Sequence, residues 1–384
     1  MDVTVCGTTA YQYWRTPPIV RLLAVATEAD DLLFKFVSEA ELTAFRADMV
    51  ERLPFIRACA VPRRTQGNDL RIVREACPLL APSTDGPVEL LAQVPEQRHT
   101  TEITRYALWQ SPLPFGSVRQ VASDLNVTSP SFTLMQLASR ASLVRIVLLA
   151  SELCGDYAVY KAPQHVAAFL QRMAERDRLP VVDGWRPCLG PGKKIGDLWS
   201  RPSLVSPGEL EDMLFEADFR RGRKTMTDAL ALLKPHAASP FETQAGVLLG
   251  FSKRRGGEGY GDFAFNEKIA LSPSAKLLAQ RGHCVCDLYW SDGLDVECQS
   301  AMFHEDGDSF LSDSDRTAAL RVEGIDVLPL TYAQMRDPDR FKAFSYAVAR
   351  ALGRPRRDKT LVQEAATQRL REEVFVNWDE LPLV

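Results

Sequence analysis

The chain lacks a long apolar run, a cysteine framework and an excess of positive charge, and each absence removes a class of protein. Its most apolar stretch, Leu143–Leu149, is broken by Arg145. That is far short of the roughly 20 residues a bilayer-spanning helix needs, so no membrane partner is expected. Eight cysteines are scattered through 384 residues without regular spacing, which argues against a disulfide scaffold and for a reducing compartment. Residues 1–8 show no basic segment leading into an apolar one, so a cytoplasmic protein is the expectation. The formal net charge is -4; any DNA contact has to come from local patches rather than a basic surface overall. No Gly-x-Ser-x-Gly element accompanies His99, His165 or His236, which leaves a serine hydrolase without support. Gly190-Pro191-Gly192-Lys193-Lys194 lacks the glycine spacing of a phosphate loop.

What is present is the balance of a folded protein, with 25% charged and 46% hydrophobic residues. The length suits two or three domains. Composition and patterning divide the chain into a mixed α/β region over 1–155, a helical, loop-rich connection over 156–236, a core over 237–353, and a basic linker with a final helix over 354–384. Ser129-Pro130 opens a helix that reaches about Leu153 with a break near Ser142, and Ser206-Pro207 opens another. The Gly- and Pro-rich segment Asp183–Pro207 reads as a connection. In the core, Ser239-Pro240-Phe241-Glu242 has the spacing of a capping box. Strands are expected at Lys268–Ser272, Cys284–Trp290, Leu294–Ser300 and Ile325–Leu330. Helices are expected at Ser312–Glu323, closed by Gly324, and at Tyr332–Leu352. Basic clusters stand at Arg220–Lys224, at Lys253, Arg254 and Arg255, and at Arg354–Lys359. Each can neutralise phosphates or simply form a solvated face.

The two central strands flank Ser291-Asp292-Gly293, which suits a three-residue hairpin loop with glycine in the left-handed position. That loop makes Asp287 and Glu297 direct cross-strand neighbours. The period of two then sets Asp287, Tyr289, Asp295, Glu297 and Gln299 on one polar face, with Cys286, Leu288, Trp290, Leu294, Val296 and Cys298 on a core face. Like charges directly opposite repel unless a proton or cation lies between them. A divalent ion with oxygen ligands answers that demand, and it can polarise a phosphodiester and generate hydroxide. Two alternatives stay open: carboxylates that simply face water, and a two-residue turn that slips the register by one and parts them. His283, Cys284, Cys286 and Cys298 cluster without paired Cys-x-x-Cys knuckles, so small core side chains are expected there rather than a zinc site.

Asp287, ten residues further Glu297, and Gln299 resemble the PD-(D/E)XK nuclease signature. With His304, Asp313, Arg316, Leu320, Gly324-Ile325 and Val327-Leu328 downstream, and Ser239–Thr243 upstream, the segment Ser239–Thr331 resembles the very short patch repair-like (Vsr-like) endonuclease domain. The resemblance implies a restriction-endonuclease-like core, a mixed sheet flanked by helices, within an α/β (α+β overall) chain. It implies that Glu242, Asp287 and Glu297 surround Mg²⁺ (or Mn²⁺), with Asp287 and Glu297 as ligands. Gln299 stands where the superfamily has lysine, and a neutral amide can only hydrogen-bond. His304 and Arg316, with Lys253, Arg254 and Arg255, are candidates for phosphate contact; Arg316 can equally pair with Asp313 along its helix. Cys6–Ala10, Trp109–Pro112 and Val127–Pro130 resemble AbiEi-type antitoxin or regulator proteins. The function implied is metal-dependent DNA hydrolysis in defence or repair. The rival is a non-catalytic DNA-binding regulator that keeps the nuclease scaffold. A protein partner is expected through the N-terminal region or the final helix.

Overall fold

The computed structural model describes residues 3–25, 66–80, 87–98, 100–299, 307–355, 358–378 and 381. They form a mixed α/β architecture of three open sheets with helices packed on them. The first sheet contains β1 (Val3–Val5), β2 (Val88–Ala92), β3 (Thr104–Leu108), β4 (Val118–Gln120) and β5 (Leu125–Thr128), in the order β3-β2-β1-β5-β4. It is mixed: β1 runs parallel to β5 and antiparallel to β2. Helices α1 (Gly7–Arg15), α2 (Pro18–Val25) and α3 (Gln66–Ala76) belong to this region, and α4 (Pro130–Ala138) and α5 (Leu143–Cys154) follow. The break expected near Ser142 is a second start. Ser129 Oγ accepts the Phe132 N–H with Pro130 at the first helical position, and Ser142 Oγ accepts the Arg145 N–H.

The segment 183–207, expected to be a connection, is instead a hairpin. Strands β7 (Arg186–Leu189) and β8 (Ile195–Ser200) pair antiparallel, and β8 also pairs with β6 (Tyr157–Val159). Gly192 and Lys193, with φ 64° and 59°, are the left-handed residues between β7 and β8. Pro187 hid the strand, yet β7 lies at the sheet edge, where a missing N–H is tolerated. Trp199 and Trp185 fix this hairpin in a small core with Phe169 of α6 (Gln164–Glu175). Helices α7 (Pro207–Glu216), capped by the Ser206–Glu209 box, and α8 (Arg223–Leu230) follow.

The third sheet, β12-β11-β10-β9, carries the candidate site. Helix α9 (Pro240–Gly250) precedes β9 (Phe263–Ala270), α10 (Pro273–Ala279), β10 (His283–Trp290), β11 (Leu294–Gln299), α11 (Gly307–Val322) and β12 (Asp326–Thr331). The strand expected at Lys268–Ser272 therefore begins earlier, at Phe263, and Ser272 caps α10, which the strand assignment had concealed. The single helix expected over Tyr332–Leu352 is two, α12 (Tyr332–Arg336) and α13 (Pro338–Ala351). Asp337 ends the first and caps the second, its side chain accepting the Asp339 and Arg340 N–H groups. The β9–β10 and β10–β11 pairs are antiparallel and β11–β12 is parallel. Leu288, Trp290, Leu294 and Val296 pack with Leu248 and Leu249 of α9, whereas Cys284 and Cys286 pack with Ala275, Ala319 and Leu320 of α10 and α11. Both faces of this sheet are covered. No helix among the described residues is long and apolar enough to cross a membrane.

One apolar cluster runs from Val3 to Leu381, and a buried carboxylate ties its distant parts. Glu152 accepts hydrogen bonds from Arg15 Nε (3.1 Å), Tyr11 Oη (2.8 Å) and the Val159 N–H (2.8 Å). Arg15 reaches on to the carbonyls of Trp378 and Leu381. The final helix α14 (Leu361–Val374) docks on its own chain through the Gly-rich stretch after α9, which is a packed surface rather than a loose connection. Gly256 (φ 95°) lies so close to α14 that a Cβ there would be 2.4 Å from the Ala366 carbonyl oxygen. Its own carbonyl accepts from Thr367 Oγ1 (2.8 Å) and Lys359 Nζ (3.1 Å). Removing one partner of a buried ion pair strands the other, so Glu152→Ala is expected to cost about 3–5 kcal/mol. Urea unfolding reads this directly, and a loss below about 1 kcal/mol would show that the pair is not structural.

Candidate active site

Register at the hairpin decides which side chains meet. The pairs are Leu288↔Val296, Tyr289↔Asp295 and Trp290↔Leu294, so the loop has three residues, and Gly293 takes φ 87°. A two-residue turn is excluded. At Gly293 a Cβ would also lie 2.9 Å from the Gly324 carbonyl oxygen, so glycine is required twice over. The paired residues end at Leu288↔Val296, one step short of Asp287 and Glu297.

The ladder does not continue evenly past that point. Asp287 Oδ2 instead accepts the Cys298 N–H at 2.8 Å. On the other side of β10, the pairing with β9 runs from His283↔Ala270 to Trp290↔Phe263 but omits Asp287 and Asn266, and Asn266 has φ 50°. The strands turn over here. Cys286 packs toward α10 and α11, yet Leu288 packs toward α9, although an unbroken strand would send both the same way. The expected single core face from Cys286 to Trp290 is therefore corrected. Cys286 and Cys298 pack in different clusters, with no zinc-like pairing.

Glu242, in the first turn of α9, acts on Asp287 through its charge. Glu242 is 6% exposed and fully engaged. It accepts from the Ala238 N–H (2.7 Å), Ser239 Oγ (2.8 Å) and Asn266 Nδ2 (2.6 Å). Its cap role and its place in the site coexist, because the carboxylate that closes the helix start also receives the amide of the left-handed Asn266. Burial nonetheless pushes its carboxyl up to about 7. Burial, followed by the charges of Glu297 and Glu242, holds Asp287 well above the usual carboxylate range.

Glu297 is paired instead with Arg316 of α11. The guanidinium meets both oxygens, with Nη1–Oε1 and Nη2–Oε2 each at 2.6 Å, and also donates to the Val285 carbonyl. Such a forked pair is the strongest geometry available to a carboxylate. Arg316 is thus engaged with Glu297 rather than presented to solvent, its side chain 16% exposed.

Sequence reasoning missed Asp295 as a member of the site. Its side chain is completely buried, neither carboxylate oxygen has a hydrogen-bond partner, and the nearest cation is Arg316 Nη2 at 3.7 Å. The Cys286 thiol, a weak donor, and the Glu297 carboxyl lie beside it. Burial, and then the charge of Glu297, push Asp295 up to about 8. The available signal was its place two residues before Glu297 on the polar face, in a strand whose other face is core.

Gln299 lies at the end of β11 opposite Thr331, half-buried. His304 lies outside the described residues. Lys253, Arg254 and Arg255 form a short turn after α9, and Arg255 approaches Asp228 at 3.8 Å. In the third basic cluster, Arg354 pairs with Asp262 and Lys359 with Glu258. Comparison with known proteins finds no family model, no curated protein and no solved structure that matches the chain.

Among the described residues no three His, Cys, Asp or Glu side chains stand ready as a metal cage. Each acid other than Asp295 is drawn to its own donor: Glu242 to the α9 cap, Asp287 to a backbone N–H, Glu297 to Arg316. Asp295 and Glu297 stand beside the Arg316 guanidinium and Asp287 acts on it through its charge, and carboxylate oxygens of this kind are the donors a hard divalent ion takes.

The raised groups fix how stability depends on pH. The folded chain keeps protons on Glu242 and Asp295 up to about 7 and 8, while unfolded carboxyls release them near 4. Over that interval the unfolded state binds fewer protons, so stability falls as pH rises, by roughly 1 kcal/mol per pH unit for each proton retained. In metal-free buffer the urea midpoint is expected to drop from pH 6 to pH 8. Asp295→Asn keeps the shape, removes one of these protons and flattens the decline. A wild-type midpoint that holds level across the window would contradict the assignment.

Proposed function

We propose that this chain is a metal-dependent endonuclease that hydrolyses DNA phosphodiester bonds, with a PD-(D/E)XK core of the Vsr-like kind over Ser239–Thr331. The observation that supports the reading is the acid-rich hairpin, where Asp295 and Glu297 share the single guanidinium of Arg316 and Asp287, on the paired strand, feels the charges of Glu297 and Glu242. Asp287 and Glu297 would hold Mg²⁺ (or Mn²⁺), which when bound polarises the phosphodiester and lowers the pKa of water. Glu242, fixed by three donors, would orient that water, and Gln299 would add an amide at the position after Glu-x. Lys253, Arg254 and Arg255 would hold the DNA backbone without reading sequence. The region before α9 would direct target or partner choice, in keeping with its AbiEi-like features, and a cytoplasmic setting fits the scattered free cysteines.

A second reading is a DNA-binding regulator that keeps the scaffold without catalysis. The forked Arg316–Glu297 pair favours it, because it gives one candidate ligand a cation of its own.

Supercoiled plasmid incubated with Mg²⁺ or Mn²⁺ separates the two. Wild type is expected to nick or cut it, and Asp287→Ala and Glu297→Ala are each expected to lower the rate on the order of 100-fold or more. Added Mg²⁺ is also expected to raise the melting temperature more at pH 8 than at pH 6, since metal competes with protons for the same oxygens. Plasmid binding by wild type without cleavage in either metal gives the regulator reading.

A further inference from the structure

A second site lies in the N-terminal half, away from the carboxylate cluster. A cavity of about 570 Å³ opens between the β2–β3 edge, the end of α4 and the segment before α8. Arg98, Arg105, Arg140, Arg220 and Arg221 line it, against Asp218 as the one lining acid. Trp109 forms part of the wall, packed edge-on against Phe132 at 4.7 Å and beside Phe219 at 6.0 Å.

Two features make this more than a basic patch. Arg140 is preset: its Nη1 donates to Glu89 Oε1 at 2.6 Å, and its Nη2 pairs with Oε2 of the same nearly buried carboxylate. Glu89 is itself anchored by the Thr8 N–H at 2.7 Å. A guanidinium held in this way loses little entropy when a ligand arrives. The second feature is the Trp109 wall, whose indole ring is held between Phe132 and Phe219.

We propose that this cavity binds a nucleotide-sized organic phosphate, with the arginines holding the phosphate groups and the Trp109 wall taking the base. Guanidinium forks match phosphate oxygens, an aromatic wall suits a flat ring, and the volume falls within the range of small-ligand pockets. The concave shape favours a free nucleotide over a duplex. The site is independent of cleavage at Asp287 and Glu297.

Isothermal titration calorimetry of the full chain against ATP, AMP, pyrophosphate and a short DNA duplex tests the assignment. ATP is expected to bind with a Kd tighter than about 100 μM and at least about tenfold tighter than pyrophosphate. Arg140→Ala would strand buried Glu89 and could unfold the region, so the variant used is the exposed triple Arg105→Ala, Arg220→Ala, Arg221→Ala. That variant should keep the wild-type melting temperature and lose at least about tenfold in ATP affinity. Three results overturn the proposal: ATP and AMP both weaker than about 1 mM, equal ATP binding by the triple variant, or a duplex that binds more tightly than ATP and displaces it.

Discussion

Burying more carboxylate than the nearby cations can neutralise is the constraint around which the C-terminal half is arranged. An isolated buried carboxylate is among the most costly groups a fold can contain, and here Glu242, Asp287, Asp295 and Glu297 share one region of the third sheet. Each local irregularity answers one of them. Helix α9 begins where it does so that Ala238 and Ser239 can donate to Glu242. Asn266 adopts a left-handed backbone and gives its amide to the same oxygen that Ala238 serves. β10 breaks its alternation at Asp287, whose carboxylate takes the place of a ladder acceptor for Cys298. Helix α11 contributes Arg316, which spans Glu297, Asp295 and the Val285 carbonyl at once. Asp295 alone receives no hydrogen bond and is left to keep its proton.

Rigidity of the site comes from outside it. Glu242 is carried on α9, whose Phe241–Leu249 are all buried. The residues beside it are tied to other parts of the chain: Thr243 Oγ1 meets the Tyr157 hydroxyl of β6 at 2.9 Å, and Gln244 Nε2 donates to the Val374 carbonyl at the end of α14 at 3.0 Å. Val374 and Tyr157 belong to the same apolar cluster as α5, whose Glu152 binds α1, β6 and, through Arg15, the tail. A group placed in this way is held by core packing rather than by a loop, which is what preorganised chemistry requires.

The sequence made the hairpin legible because a three-residue loop with glycine at its left-handed position leaves one register, the one that pairs Trp290 with Leu294 and Leu288 with Val296. Capped helix starts at Ser129, Ser206 and Ser239 were legible for a similar reason: each is a local pattern satisfied by local hydrogen bonds. What escaped depends on distant partners. The period of two fails at Asp287 beside a left-handed Asn266 on β9, whose amide goes to Glu242, distant in the sequence. The β7–β8 hairpin was hidden by Gly and Pro, and is rescued by the burial of Trp185 and Trp199, which no short window displays. Arg316 had a plausible partner one turn away in Asp313, and the fold brings it Glu297, from a different element. Asp295 looked like any polar-face residue because burial of a strand's outer face depends on where α10 and α11 come to rest.

These differences in restraint rank the four acids by how readily they can change partner. Glu242 is bound by two groups at a helix start and a third on a neighbouring strand, so moving it disturbs α9. Asp287 holds a backbone N–H, and Asp295 is enclosed entirely. Glu297 differs: it is 21% exposed, and its partner is a single long side chain that is itself partly exposed. Rotating this arginine away gives up its fork to Glu297, its approach to Asp295 and its bond to the Val285 carbonyl. In the proposed reading, a divalent cation held by Glu297 would compete chiefly with Arg316, whose guanidinium would then be a positive charge at hand for a phosphate. On this view the pair that counts against catalysis in the metal-free protein also supplies what the site otherwise lacks at Gln299, a cation close to the scissile group.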